Sequence, residues 1–297
     1  MSCYSPNYIV KHKILSPFVR RQLLYEDKNN GSHGNGWKMV KNGDEEYKFM
    51  LGYDFDKFKK IKEDLSNYEV VQIPCGCCIG CRLDYSRQWA NRCYLESLGS
   101  KNTYFLTLTY DDEHLPIGKL GNSTLVPDDL KKFLKDIRAY YKYHYNLDNI
   151  RFFACGEYGD LSLRPHYHLI MFNFPIEDLD PNFVYYDNGQ KYITQHVENG
   201  NIYYYSEIVH EVWNKGNILI GEANWQSMAY VARYVVKKVK GKEADVYEAL
   251  GIEPEFVRMS RKPGLGEEYF RNHYNEIYEN DNVIVFNGKK SLASQPP

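Results

Sequence analysis

Two kinds of hydrophobic pattern divide the chain into predicted strands and helices. Residues 104–110 (YFLTLTY) alternate in polarity and are rich in aromatic and β-branched side chains, which predicts a strand. Residues 150–158 (IRFFACGEY) and 166–174 (HYHLIMFNF) predict two further strands. The short polar turn between them favours an antiparallel hairpin.

Three other segments carry the spacing of helices. Residues 82–98 contain neither Gly nor Pro and predict a helix, as do residues 227–239. Pro127, Asp128 and Asp129 open another helix, because proline suits the first turn and acidic residues suit the positive end of the helix dipole. The apolar stripe of that helix is expected at Leu130, Phe133, Leu134, Ile137 and Tyr141.

The order of these elements predicts an α+β fold whose sheet is at least partly antiparallel. Residues 1–100 would form an N-terminal region with a Cys-rich knuckle and a helix. Residues 101–245 would form the core, in which residues 175–220 are an insertion carrying a small hairpin. Residues 246–297 form an extension without an assigned role.

Composition and charge narrow the classes of function. With 43% hydrophobic and 26% charged residues the chain is an ordinary globular protein, and its formal net charge of −2 excludes a uniformly basic nucleic-acid coat protein. Any contact with DNA must therefore come from a local basic patch. We identify no signal peptide, and the apolar run at 169–174 is too short to span a bilayer, so we expect no membrane partner and reduced thiols.

A His-x-His pair marks the first candidate site. On a strand, His166 and His168 point to the same face, while Tyr167 points to the other. Glu157 ends the partner strand just across the turn, and a carboxylate beside two imidazoles suits Mg²⁺ or Mn²⁺. The alternative is two unrelated surface histidines and an acidic residue in solvent.

The helix predicted at 227–239 carries the second candidate site. Tyr230 and Tyr234 lie about 40° apart around the helix and roughly 6 Å apart along it, and Lys237 returns to the same face. A phenol near a metal-bound phosphate can form a phosphodiester bond. The alternative is an amphipathic helix with tyrosines at its buried edge and solvated lysines. The residues expected to hold a nucleic-acid backbone are Arg233, Lys238 and Lys240.

Taken in order, these motifs resemble a known family. The segments FLTLTY, PHYHLIMF and YVARYVVKK resemble those of the rolling-circle replication initiators of the HUH endonuclease superfamily. The two-tyrosine motif YxxxYxxK looks like that of the microviruses. The stretches MSCYSP, PCGCCIGCRLDYSRQWANRC and GEYGDLSLRPHYH are similar to the gokushovirus branch, and the resemblance covers most of residues 1–240.

The resemblance implies an HUH domain, in which a central antiparallel sheet is flanked by helices, and an enzyme that nicks single-stranded origin DNA. His166 and His168 would hold the metal, with Glu157 as the third ligand that we infer. One of Tyr230 and Tyr234 would keep the 5′-phosphate as a phosphotyrosine, and the other would act after one round of replication. The host would supply the DNA polymerase, and the reaction would take place in the cytoplasm of the bacterial host. The host would also supply the helicase, since the chain has no GxxxxGK[ST] phosphate-binding loop. Lys237 matches the lysine of the family.

Cysteines crowd into residues 75–81 and make structural zinc a candidate cofactor. The four candidate ligands are Cys75, Cys78, Cys81 and Cys93. Because the spacing differs from that of a standard finger, buried or merely reduced thiols are the alternative. The competing functions are a non-catalytic DNA- or RNA-binding protein with a zinc knuckle, a histidine-based phosphodiesterase, and a relaxase or single-tyrosine transposase.

Overall fold

A computed structural model shows two compact units, Met1–Asp84 and Tyr85–Pro297. No helix in the part of the chain that the structure describes is long and apolar enough to cross a membrane. The domain boundaries predicted at residues 100 and 245 stay predictions. The described residues are 3–4, 6–12, 38–42, 45–50, 56, 59, 68–76, 78–159, 162–179, 184–187, 190–193, 203–237, 245–279, 283–286 and 291–294.

The N-terminal unit contains a four-stranded antiparallel sheet. Its strands are β1 (Asn7–His12), β2 (Lys38–Asn42), β3 (Glu45–Met50) and β4 (Tyr68–Ile73), in the spatial order β2-β3-β1-β4. Strand β1 pairs with β4 along its whole length, from Asn7 opposite Ile73 to His12 opposite Tyr68. The residues before β1 and those after β4 therefore meet at one end of the sheet.

A six-stranded antiparallel sheet forms the centre of the C-terminal unit, in the spatial order β10-β11-β5-β7-β6-β12. This confirms the predicted α+β class. The strands are β5 (Thr103–Thr109), β6 (Arg151–Tyr158), β7 (Pro165–Phe172), β10 (Tyr203–Tyr204), β11 (Ile218–Glu222) and β12 (Phe256–Met259).

Helices and two small hairpins complete the chain. The helices are α1 (Ile79–Leu98), α2 (Pro127–Tyr145), α3 (Glu207–Trp213), α4 (Trp225–Lys237), α5 (Asp245–Leu250) and α6 (Glu267–Glu279). The hairpins are β8 (Val184–Asp187) with β9 (Gln190–Ile193), and β13 (Val283–Phe286) with β14 (Ser291–Ser294).

Both faces of the central sheet are covered, which explains why β6 and β7 are buried almost throughout. On one face Tyr167, Leu169 and their neighbours pack with residues of α2 and α3, including the fully buried Trp213. On the other face Ile170 and Phe172 pack with Met228, Val231 and Tyr234 of α4. The histidines of β7 alternate with Tyr167 and so share the α4 face.

The predicted helices differ from the observed ones only near their ends. Helix α2 begins at Pro127 and buries the whole predicted stripe of five residues. Helix α4 begins two residues before its predicted start because Asn224 caps it: the Ser227 amide donates to the Asn224 side chain at 2.9 Å, and the Asn224 amide donates to the Ser227 hydroxyl at 2.9 Å.

The segment after β7 carries the expected small hairpin, β8 with β9. The later part of the predicted insertion belongs to the central sheet instead. Strand β11 pairs with β5, with Ile220 opposite Leu106, and it also pairs with β10. The C-terminal region contributes as well, since β12 pairs with β6 at the far edge of the sheet.

Candidate metal and tyrosine site

The hairpin of β6 and β7 brings one carboxylate and two imidazoles together. Glu157 stands opposite His166 in the strand register, and His168 lies two residues further along the same face. One carboxylate oxygen, Glu157 Oε1, lies 2.8 Å from His166 Nε2 and 2.7 Å from His168 Nε2. These ligand atoms lie within 4.8 Å of one another, so the three residues could hold one metal ion.

Hydrogen bonds behind the imidazoles fix their orientation. His168 Nδ1 lies 2.9 Å from the hydroxyl of Thr107 on the neighbouring strand β5. His166 Nδ1 lies 3.1 Å from the carbonyl oxygen of Arg164. Because a carbonyl oxygen only accepts, His166 Nδ1 carries the proton, and this arrangement directs Nε2 toward a ligand.

Charge in the site is concentrated on a buried carboxylate. Burial opposes ionisation of Glu157, which is only 3% exposed, but hydrogen bonds from His166 and His168 lower its pKa to about 2. Glu157 is therefore an anion at neutral pH. A buried anion needs a cation beside it, and either an imidazolium or a metal ion meets that need.

Helix α4 places both predicted tyrosines against His168. The ring centres of Tyr230 and Tyr234 lie 5.3 and 5.9 Å from that of His168, and 5.4 Å from each other. Tyr230 is 37% exposed, whereas Tyr234 is 7% exposed. The structure therefore brings the predicted metal ligands and the predicted nucleophiles into one site.

The two phenols differ in their electrostatic surroundings. Burial raises the pKa of both side chains, so both are protonated at neutral pH. The neighbouring phenol of Tyr234 lowers the pKa of Tyr230, whereas the phenol of Tyr230 raises that of Tyr234. The Arg233 guanidinium carbon lies 5.6 Å from the centre of the Tyr230 ring and also lowers the pKa of Tyr230.

A cavity of about 700 Å³ opens beside these side chains. Its wall includes His168, Tyr230 and Arg233 from the predicted site. The other lining residues are Phe105, Thr107, Tyr203, Tyr204, Leu219, Gly221, Glu222, Asn224, Gln226 and Ser227. The half-buried rings of Phe105, Tyr203 and Tyr204, the exposed ring of Tyr230 and the polar groups beside them are suited to an unstacked base and its backbone.

The remaining predicted residues have different outcomes. Lys237 ends helix α4, but its side chain lies outside the described residues, as do Lys238 and Lys240 altogether. Cys93 is fully buried beside Phe153 and Ile170, in the apolar layer that covers the α4 face of the sheet. The sulfur of Cys93 is not part of the cysteine cluster. That cluster consists of Cys75, Cys78 and Cys81 together with Cys3.

Sequence reasoning missed Thr107 and Cys3. Thr107 belongs to a predicted strand, and only its pairing opposite His168 marks it as a partner of that imidazole. Cys3 stands close to no other cysteine in the sequence, so only the pairing of β1 with β4 could have indicated it.

A family model and several viral proteins match this chain. The family model that describes replication-associated proteins of the ORF2 type matches residues 103–239, the range that holds all three metal-ligand candidates and both tyrosines. No solved structure matches the chain.

Three viral proteins are similar to the chain over much of its length. "Replication-associated protein ORF2" of Spiroplasma virus 4 is 36% identical over 91% of this chain and 74% of the relative. "Replication-associated protein VP4" of Bdellovibrio phage phiMH2K is 32% identical over 78% of this chain and 67% of the relative. "Replication-associated protein ORF4" of Chlamydia phage 1 is 30% identical over 84% of this chain and 59% of the relative. The chain therefore belongs to the phage replication-associated protein family of rolling-circle initiators, as its ordered motifs indicated.

Proposed function

We propose that the protein nicks and rejoins single-stranded origin DNA, with tyrosine as the nucleophile and a divalent cation as cofactor. The observation that carries the proposal is the convergence of three metal-ligand candidates with two phenols, whose ring centres lie 5.3 and 5.9 Å from that of His168. The role of the family in replication supports it.

The donor set fits Mg²⁺ or Mn²⁺. Two imidazole nitrogens and a buried carboxylate oxygen leave coordination positions open for water and phosphate. When bound by Glu157, His166 and His168, such a cation would polarise the scissile phosphate and stabilise the charge that develops on it. In the protein without metal, Glu157 holds both Nε2 atoms at 2.8 and 2.7 Å, so the three ligands are already assembled.

We assign the first cleavage to Tyr230. Its phenolic oxygen would attack the phosphorus, form a P–O bond and lose its proton, while the bond from phosphorus to O3′ breaks and the departing O3′ takes up a proton. The products are a 5′-phosphotyrosine and a free 3′-OH. Tyr230 suits this role because it is more exposed than Tyr234 and lies beside Arg233.

Tyr234 would carry out the second cleavage. The 3′-OH set free by that cleavage then attacks the first phosphotyrosine and closes the strand. One phosphodiester bond forms for each one that breaks, so rejoining needs no ATP. Lys237 would stabilise the charge that develops in the transition state, and Arg233, Lys238 and Lys240 would neutralise the DNA backbone. Host helicase and polymerase would act as partners in the host cytoplasm.

A covalent-trapping assay tests the proposal. The full chain is incubated with single-stranded DNA that contains candidate origins, with Mn²⁺ or with EDTA, and an SDS-resistant adduct is sought. We expect an adduct only with Mn²⁺, which peptide mass spectrometry locates on Tyr230 or Tyr234. His168→Ala should abolish it.

Tyr143→Phe provides the control, because Tyr143 is 85% exposed on α2 and should form as much adduct as the wild type. Absence of an adduct on every origin, with DNA binding intact in EDTA, would refute nicking and favour the non-catalytic binding protein. An adduct on any other residue would refute the assignment of the nucleophiles.

A further inference from the structure

We propose that Cys3, Cys75, Cys78 and Cys81 form a structural zinc site that joins the chain before β1 to the turn after β4. All four residues belong to the N-terminal unit, and their sulfur atoms lie within 4.8 Å of one another. The site is chemically distinct from the Glu157–His166–His168 group, because thiolates select Zn²⁺ whereas Mg²⁺ and Mn²⁺ prefer oxygen ligands.

The distances between sulfurs match a zinc tetrahedron. Cys75 Sγ lies 3.8 Å from Cys81 Sγ, and Cys78 Sγ lies 3.8 Å from Cys3 Sγ. A tetrahedron with zinc–sulfur bonds of about 2.3 Å has edges of about 3.8 Å. A disulfide would need about 2.05 Å, and none of these four cysteines forms one.

Backbone amides around the sulfurs form a knuckle suited to thiolates. The amide of Cys78 donates to Cys75 Sγ at 3.3 Å, and that of Cys81 donates to Cys78 Sγ at 3.5 Å. Gly76 makes this turn possible with a φ of 75°, a left-handed conformation that glycine adopts without strain. The C-x2-C-x2-C spacing thus directs three sulfurs toward one point.

The fourth ligand comes from the distant N-terminus. Asn7 pairs with Ile73 at one end of the β1–β4 ladder, so the chain before β1 runs beside the chain after β4. The amide of Cys75 donates to Cys3 Sγ at 3.3 Å and holds it in the group. A metal here would therefore cross-link two segments that are 72 residues apart in the sequence.

The test uses the full chain carrying His166→Ala and His168→Ala, so that zinc cannot bind at the other group. Mass spectrometry of metals should find about one zinc per chain. Replacement of zinc by Co²⁺ should produce the thiolate-to-cobalt charge-transfer bands and the visible bands of a tetrahedral thiolate site. Cys3→Ser should lower zinc affinity more than tenfold and weaken those bands.

Cys77→Ser is the matched control, because Cys77 belongs to the same CGCCIGC run and is not one of the four proposed ligands. It should keep both the zinc and the cobalt spectrum. Loss of zinc in Cys77→Ser, or full zinc affinity in Cys3→Ser, would overturn the ligand set.

Alkylation of the protein with native cysteines tests the site without relying on the folding of any cysteine variant. Peptide mapping should show Cys3, Cys75, Cys78 and Cys81 protected while zinc is bound and labelled after a chelator removes it. Equal labelling in both states, a disulfide among the four, or a cobalt spectrum without thiolate bands would refute the proposal.

Discussion

The hydroxyl of Thr107 is expected to control metal binding without touching the metal. It lies 2.9 Å from Nδ1 of His168, which is only 7% exposed. Thr107→Val keeps the shape of the side chain and removes this partner. Partners behind a metal-binding imidazole typically contribute about 10- to 100-fold to affinity, equivalent to about 1.4–2.7 kcal/mol. We therefore expect Thr107→Val to raise the Kd for Mn²⁺ by that factor.

The loss should also appear in the stability of the metal-free protein. A buried polar group that loses its hydrogen bond costs about 1–3 kcal/mol, so the free energy of unfolding in urea should fall by that amount. Thr107→Ser restores the hydroxyl and should recover most of both losses.

Calorimetric titration with Mn²⁺ measures the effect, and Thr109→Val is the control. Thr109 is the next residue on the same side of β5 and stands opposite His166, but its hydroxyl donates to the Asn217 carbonyl at 3.2 Å. An unchanged Kd in a folded Thr107→Val protein would refute the idea that this hydrogen bond positions His168. Equal weakening by Thr109→Val would show an effect of the strand as a whole.

Three further predictions concern the two tyrosines of helix α4, the Glu96–Arg151 ion pair and the phenol of Tyr167. Tyr230→Phe should abolish the first covalent adduct, whereas Tyr234→Phe should retain it and block strand closure; the reverse result in the trapping assay would exclude our order of cleavage. Glu96→Gln should lower the free energy of unfolding by about 3–5 kcal/mol, because Glu96 Oε1 lies 2.5 Å from Nε of the largely buried Arg151; a loss below about 1 kcal/mol in urea would contradict this. Burial raises the pKa of Tyr167 from 10 to about 12, so its contribution to stability is complete below pH 10 and is lost as the pH rises to 12. The destabilisation by Tyr167→Phe should shrink across that range by up to ~3 kcal/mol, and a constant difference would contradict it.

Local periodicity was sufficient to predict a helix or strand where one face of that element packs against the core. All five residues of the predicted α2 stripe are buried, because burial of a single face selects that spacing directly. The hairpin of β6 and β7 was also predictable, since a short polar turn leaves two adjacent apolar strands few other ways to pair. The period of two residues in a strand places both histidines on one face of β7. The period of 3.6 residues in a helix places both tyrosines on one face of α4.

Elements that depend on distant partners could not be predicted in this way. Strands β1 and β4 belong to a sheet in which Asn7 pairs with Ile73, and nothing in either short segment specifies the other. Strand β12 becomes part of the central sheet only through β6, where Phe256 lies opposite Gly156. No element was therefore predicted in either region.

The same distinction applies to the residues that complete each site. Cys93 was an interpretation based on closeness in the sequence, but the sheet buries that thiol beside Phe153, and strand pairing places Cys3 with the other sulfurs instead. Thr107 supports His168 only because β5 and β7 pair in this register. A slip of one residue in that pairing would turn Thr107 to the opposite face of the sheet. Side chains that share one face of an element are thus readable from local period. Cys3 and Thr107 join such side chains only through strand pairing, which is a property of two segments together.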